Sequence, residues 1–237
     1  NNTAIGREAG KTISTSSNNT LVGRTAGMLI STGEKNVVVG SAAGDAITTG
    51  SANTAVGFES LTALTTGSNN VAIGEQALAS STTSDSNTAV GHKALKANTT
   101  GYGNTSVGSQ ALDAATTANN NTAVGRVALT SATTGYSNTA IGQSALEGVT
   151  TGVQNDAIGA NAAHNLTTGS SNTLIGNGIT TASAGTSNAN GLGLGLTCAD
   201  NFTTIGQNTA DIRTGHGSTS WATVSDERVK KDIEDAT

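Results

Sequence analysis

Apolar side chains fall in this chain as short doublets in a polar background, and the doublets return at a constant step. Ala55-Val56, Ala123-Val124 and Ala140-Ile141 each follow Asn-Thr and precede Gly. Stepping by 17 from Asn2 lands on asparagine every time: Asn19, Asn36, Asn53, Asn70, Asn87, Asn104, Asn121, Asn138, Asn155 and Asn172. Four residues after each comes a glycine, from Gly6 to Gly176, preceded always by Ile or Val. Eleven starts without an insertion are the mark of a repeat architecture.

The unit reads N-T-A-[IV]-G-x-x-A-L-x-x-x-T-T-G-x-x. Thr and Val suit a pleated surface and Gly ends it, so the doublet predicts a short strand. The Ala-Leu pair, as at Ala94-Leu95, predicts a second short segment, and Thr-Thr-Gly, as at Thr99 to Gly101, turns the chain back. A helical unit is excluded, because Gly with several Thr, Ser and Asn disfavours helix and 17 residues cannot hold two helices and their turns. The expected fold is all-β: a solenoid with one unit per coil and parallel strands ~4.8 Å apart, on the order of 50 Å long over eleven coils.

Neighbouring residues of a strand point to opposite faces. Since both central positions are apolar, both faces need cover. One can fill the coil's own interior, but a short coil encloses little, and the chain has only two Phe, two Tyr and one Trp. The expectation is a homotrimer whose copies wrap around a common axis and bury the second face there. Asparagines stacked in register can hydrogen-bond their copies above and below. The glycines supply a positive φ or let another backbone come close.

"NTAIGREAG", "NVAIGEQAL" and "NTAVGHKAL" resemble the head repeats of trimeric autotransporter adhesins. The resemblance covers residues 2 to about 176, with a period slightly longer than is usual there. It implies a left-handed parallel β-roll wound from three chains.

Composition narrows the function. Net charge is −5 and no Lys/Arg cluster precedes residue 228, which argues against nucleic acid as a partner. No apolar run approaches bilayer length, so no membrane insertion is expected. The chain opens directly on a repeat, as a piece of something longer would. Its one cysteine, Cys198, cannot form an intrachain disulfide and reads as a buried thiol.

The shaft offers little chemistry, and no enzymatic activity, cofactor or metal is expected of it. His92 falls where other units carry Arg7, Glu75 or Gln143, a solvated place, while His164 and His216 lack a partner at metal-ligand spacing. Asp85, Asp113 and Asp156 are scattered. "GLGLGL" from Gly191 lacks the Lys-Ser/Thr of a phosphate loop and reads as a strand with one apolar face. The two residues after each repeat glycine vary freely and are expected to face solvent, where a fibre could recognise a surface. Tyr102 and Tyr136 either stack on sugars or cover a turn.

After Gly176 the strict period breaks, with an echo in "NFTTIG" from Asn201. The expected organisation is a shaft over 1–176, an irregular β cap or tip over 177–221, and a new charged module over 222–237. "SDERVKKDI" in that module resembles the opening of the intramolecular chaperone of phage tail spikes and tail fibres, endosialidases among them. The resemblance implies a chaperone that assembles the trimer and then cuts itself away at the serine of S-D-x-R-x-K, here Ser225, Asp226, Arg228 and Lys230. Ser225 would be the nucleophile and Lys230 its base, with Asp226 and Arg228 in support; from the residues alone the stretch also reads as a solvated turn in which Ser225 caps a helix opened by Asp226 and Glu227. Neighbouring positive charge, as from Arg228 and Lys231, would help Lys230 to act as a base.

The function expected is therefore that of a trimeric tail fibre, on a virion, presenting a surface to a glycan or protein receptor of a host cell. The alternatives are a bacterial cell-surface adhesin or extracellular filament of the same roll, and the shaft of a glycan-degrading tail spike.

Overall fold

A computed structural model describes residues 1–218 and 222–223. The eleven repeat strands are β1 (Thr3–Ile5), β2 (Thr20–Val22), β3 (Val37–Val39), β4 (Thr54–Val56), β5 (Val71–Ile73), β6 (Thr88–Val90), β7 (Thr105–Val107), β8 (Thr122–Val124), β9 (Thr139–Ile141), β10 (Asp156–Ile158) and β11 (Thr173–Ile175). They pair in chain order, all parallel, each residue opposite the one 17 places on: Thr122 with Thr139, Ala123 with Ala140, Val124 with Ile141. The chain is thus an all-β parallel solenoid with 17-residue coils, and among the described residues there is no helix.

The solenoid runs on beyond Gly176. Short β12 (Thr180–Thr181) leads to β13 (Asn190–Leu194), where Thr173 pairs with Asn190, again 17 places on. After β14 (Thr197–Cys198), which pairs with β12, comes β15 (Phe202–Gln207), where Asn190 pairs with Thr203 across a shorter coil. β16 (Ala210–Gly215) then folds back antiparallel on β15, and β17 (Ala222–Thr223) pairs with β16. Reversal of direction ends the winding, and a hairpin occupies the edge that a further coil would have used.

Counting the repeat asparagine as position 1, the buried residues of a coil lie at positions 1, 3, 8, 9, 12 and 15, as in Asn53, Ala55, Ser60, Leu61, Leu64 and Gly67. Positions 8 and 9, the Ala-Leu pair, do not form a second strand. They lie in a turn, and the leucine adopts left-handed backbone, with φ of 50–53° from Leu61 through Leu146. That conformation costs a non-glycine residue about 1–2 kcal/mol. Burying a leucine side chain returns about 1.5–3 kcal/mol, so the core dictates the backbone.

The first three coils solve the same packing differently. Position 9 is Gly10, Gly27 or Gly44, and the missing side chain is replaced from positions 3 and 12. A Cβ on Gly27 would lie 2.8 Å from Cδ1 of Ile30 and 2.8 Å from Cδ2 of Leu21. Where position 9 becomes leucine, from Leu61 to Leu146, position 3 shrinks to alanine or, once, to Ser106. Core volume is conserved while its source moves around the coil.

Two ladders of side chains run along the coils, one of them inside the core. Each repeat asparagine from Asn19 to Asn172 donates its backbone N–H, at 2.9–3.2 Å, and one Nδ2 hydrogen, at 2.8–3.3 Å, to the Oδ1 of the asparagine one coil earlier. The second Nδ2 hydrogen closes the coil on itself, as from Asn121 to the carbonyl of Gly135 at 2.9 Å. Except at the last rung, where Ala189 replaces the next asparagine, both donors and both acceptor sites of the buried amide are therefore used. At the partly exposed position 13, the hydroxyls of Thr48, Thr65, Thr82, Thr99, Thr116, Thr133 and Thr150 donate to the carbonyl 17 residues later, at 3.0–3.3 Å.

Candidate functional surface

From β2 to β11 the middle residue of each strand points into the coil and is fully buried: Leu21, Val38, Ala55, Ala72, Ala89, Ser106, Ala123, Ala140, Ala157 and Leu174; Ala4, in the edge strand β1, is exposed. Its neighbour, the Ile or Val before the repeat glycine, points out. Ile73, Ile141, Ile158 and Ile175 are each 39% exposed, and Ile5 at the free edge is 60% exposed. Parallel register stacks these side chains directly on one another. The result is a continuous apolar stripe on the outer face of the sheet, flanked at the first strand position by threonines in most coils, by Val37 and Val71, and by the exposed Asp156.

The stripe extends through the last coils. Leu192 pairs with Ile175, Ile205 with Leu192, and Ile212 with Ile205 across the antiparallel hairpin. Leu192 is 52% exposed, so the glycine-leucine alternation does make a strand, with its leucines on the outer side. Here the stripe sinks into an apolar depression of about 220 Å³ lined by Thr173, Ile175, Asn190, Leu192, Thr203 and Ile205. Gly191 forms its floor; a Cβ there would meet Sγ of Cys198 and Cδ2 of Leu174.

No group of three or more His, Cys, Asp or Glu among the described residues could hold a metal ion, and no helix among them is long and apolar enough to cross a membrane. His92 is exposed; His164 places Nδ1 3.1 Å from the carbonyl of Asn161. His216 is not alone: its Nε2 lies 3.3 Å from both Asn190 Nδ2 and Thr203 Oγ1, beside the depression. Burial pushes the carboxyl of Asp113 up from its ordinary range, against the opposing pull of Lys96, Lys93 and His92.

Beneath the terminal hairpin lies a polar cluster that composition gave no sign of. Asp211 is buried, with Oδ2 3.7 Å from a guanidinium nitrogen of Arg213, while Oδ1 of Asp211, Nε of Arg213 and Oγ1 of Thr204 are buried without a hydrogen-bond partner among the described residues. Cys198 is fully buried beside them. Ser225, Asp226, Arg228 and Lys230, the residues expected to carry self-cleavage, lie outside the described residues, as does Trp221.

Comparison with protein-family models, with curated proteins and with solved structures finds no match to the chain.

Proposed function

We propose that this chain is the shaft of a trimeric, extracellular fibre, a phage tail fibre that presents a host-recognition surface and is matured by a self-cleaving C-terminal chaperone. The observation that carries the reading is the unbroken outer stripe from Ile5 to Ile212. An isoleucine still 39% exposed stands to gain roughly 1 kcal/mol on full burial, so a dozen rungs supply on the order of 10 kcal/mol per chain toward association. A continuous stripe repeated at every coil favours partners of the same length and pitch, which further copies of the chain provide. Three stripes meeting on one axis bury all of them and leave the variable turns outside.

The C-terminal phrase "SDERVKKDI" supports the viral form of the fibre, with Ser225 as nucleophile and Lys230 as base for a single cut that releases the chaperone. Light scattering tests the assembly: the expected species has three times the 23.2 kDa mass of one chain. A monodisperse single chain overturns the reading.

A further inference from the structure

We propose that the face carrying Tyr102, Asn119 and Tyr136 is a binding strip for an extended, uncharged, β-linked glycan. The inference rests on reading the rod as a recognition fibre and gives that recognition a place and a chemistry.

The two tyrosines are the only ones in the chain, and they fall in the same row, at position 16 of coils two apart. Both are exposed, Tyr102 at 53% and Tyr136 at 50%. Their backbone is pinned in register: the carbonyl of Tyr102 accepts from Asn120 N–H at 3.0 Å, and that of Tyr136 from Gln154 N–H at 3.1 Å. Two rungs at ~4.8 Å set the rings ~10 Å apart along the rod. Asn119 lies on the rung between them. Its Oδ1 accepts from Tyr102 N–H at 2.9 Å, and its Nδ2 group has no hydrogen-bond partner among the described residues.

The ground around the rings is hydroxyl and amide. Thr100, Thr117 and Thr134 are exposed on one side, two residues before this row and divided from it by a buried residue, and Asn120, Ser137 and Gln154 are exposed on the other. No charged residue occurs in 99–104, 116–121, 133–138 or 150–155; the nearest charge in the row is the exposed Asp85, one rung before Tyr102, whose carboxylate accepts from Ser68 N–H and would repel an anionic ligand. A phenol ring offers an apolar body to the flat face of a pyranose and a polar tip to its hydroxyls. Amide and hydroxyl groups supply both donors and acceptors. A two-rung spacing suits a ligand that presents the same face at regular intervals along a straight chain, and a rigid ladder spends no ordering entropy on receiving it.

Calorimetry on the assembled protein tests this with cellohexaose and chitohexaose as neutral probes, their disaccharides, and a hexamer of galacturonic acid as the charged comparison. At least one neutral hexasaccharide should bind, with its disaccharide about tenfold weaker because it reaches a single ring. Tyr102→Ala and Tyr136→Ala should each weaken binding about tenfold, and Tyr102→Phe by much less. Absence of binding to both neutral hexasaccharides, equal binding by the double alanine variant, or preference for the charged hexamer each overturns the strip. So does a change in oligomeric mass in the double variant, which would place the tyrosines between copies. A trimer that binds no glycan removes the strip alone, whereas a monomer removes the fibre reading whatever it binds.

Discussion

Asn104 gives both its backbone N–H and one Nδ2 hydrogen to Oδ1 of Asn87, at 2.9 and 3.1 Å, and its other Nδ2 hydrogen to the carbonyl of Ala118 at 2.8 Å. Its own Oδ1 receives the same pair of bonds from Asn121. Asn104→Ala leaves the carbonyl of Ala118 and two donors of Asn121 buried without partners, and should destabilise the rod by about 3 kcal/mol. Asn104→Asp should do at least as much harm, since a carboxylate cannot donate and its charge would be buried. Urea denaturation measures both; a loss below about 0.5 kcal/mol for the alanine variant would show the ladder to be dispensable.

Two glycines with positive φ separate strain from collision. Gly125 has φ +139°, and a Cβ there would strike the carbonyl of Gly142 on the next coil. Gly178 has φ +62° with nothing within 4 Å of an added Cβ. Gly178→Ala should therefore cost about 1 kcal/mol, in line with the non-glycine residues that occupy its position in every earlier coil. Gly125→Ala should cost about 3 kcal/mol or more, because backbone on two coils must move. Thermal melts followed by circular dichroism distinguish them, and equal losses would refute the collision.

Val124 belongs to the outer stripe rather than to the coil's interior, which Ala123 occupies. Val124→Asp should leave the β-sheet signal of the single chain in place and abolish assembly, since an unpaired carboxylate in the association face costs several kcal/mol per copy. Sedimentation velocity reads the result. A variant that keeps the wild-type oligomeric mass would show that the stripe is not the face that associates.

Cys198 is a thiol held neutral. Burial comes first among the causes and raises its pKa from 9.0 to about 11, against the opposing charge of Arg213. The unfolded thiol ionises first as pH rises, so this group's contribution to stability is intact below about pH 9 and is lost as pH climbs toward 11. Iodoacetamide at pH 8 should label the folded protein at least about tenfold more slowly than the urea-unfolded chain, because both thiolate fraction and access are reduced. Comparable labelling rates would contradict the burial.

Self-cleavage is checked on the full-length protein by mass spectrometry. A break beside Ser225 should be absent in Ser225→Ala and in Lys230→Ala. Processing that continues unchanged in both variants would remove the assigned roles.

The sequence by itself determined the coil. Seventeen residues, an asparagine to stack, a glycine without room for a Cβ and a strand doublet between them are local requirements repeated on every rung, so recurrence made them legible. It also raised the expectation that both sides of the doublet need cover. Only the tertiary structure decided which side is which: Ala123 went inward and Val124 outward because the turn leucines Leu112 and Leu129 already fill the interior. Left-handed backbone at those leucines could not be read from propensity, since burial overrides it. Ala189 in place of the ladder asparagine hid the next coil, although Leu192 and Gly193 keep the phase of Ile175 and Gly176. The shorter coil to Ile205, the meeting of His216 with Thr203 and the cluster around Asp211 arise where the chain reverses on itself. Contacts of that kind join segments with no common pattern, and distance along the chain carries no signal of them until the backbone has folded.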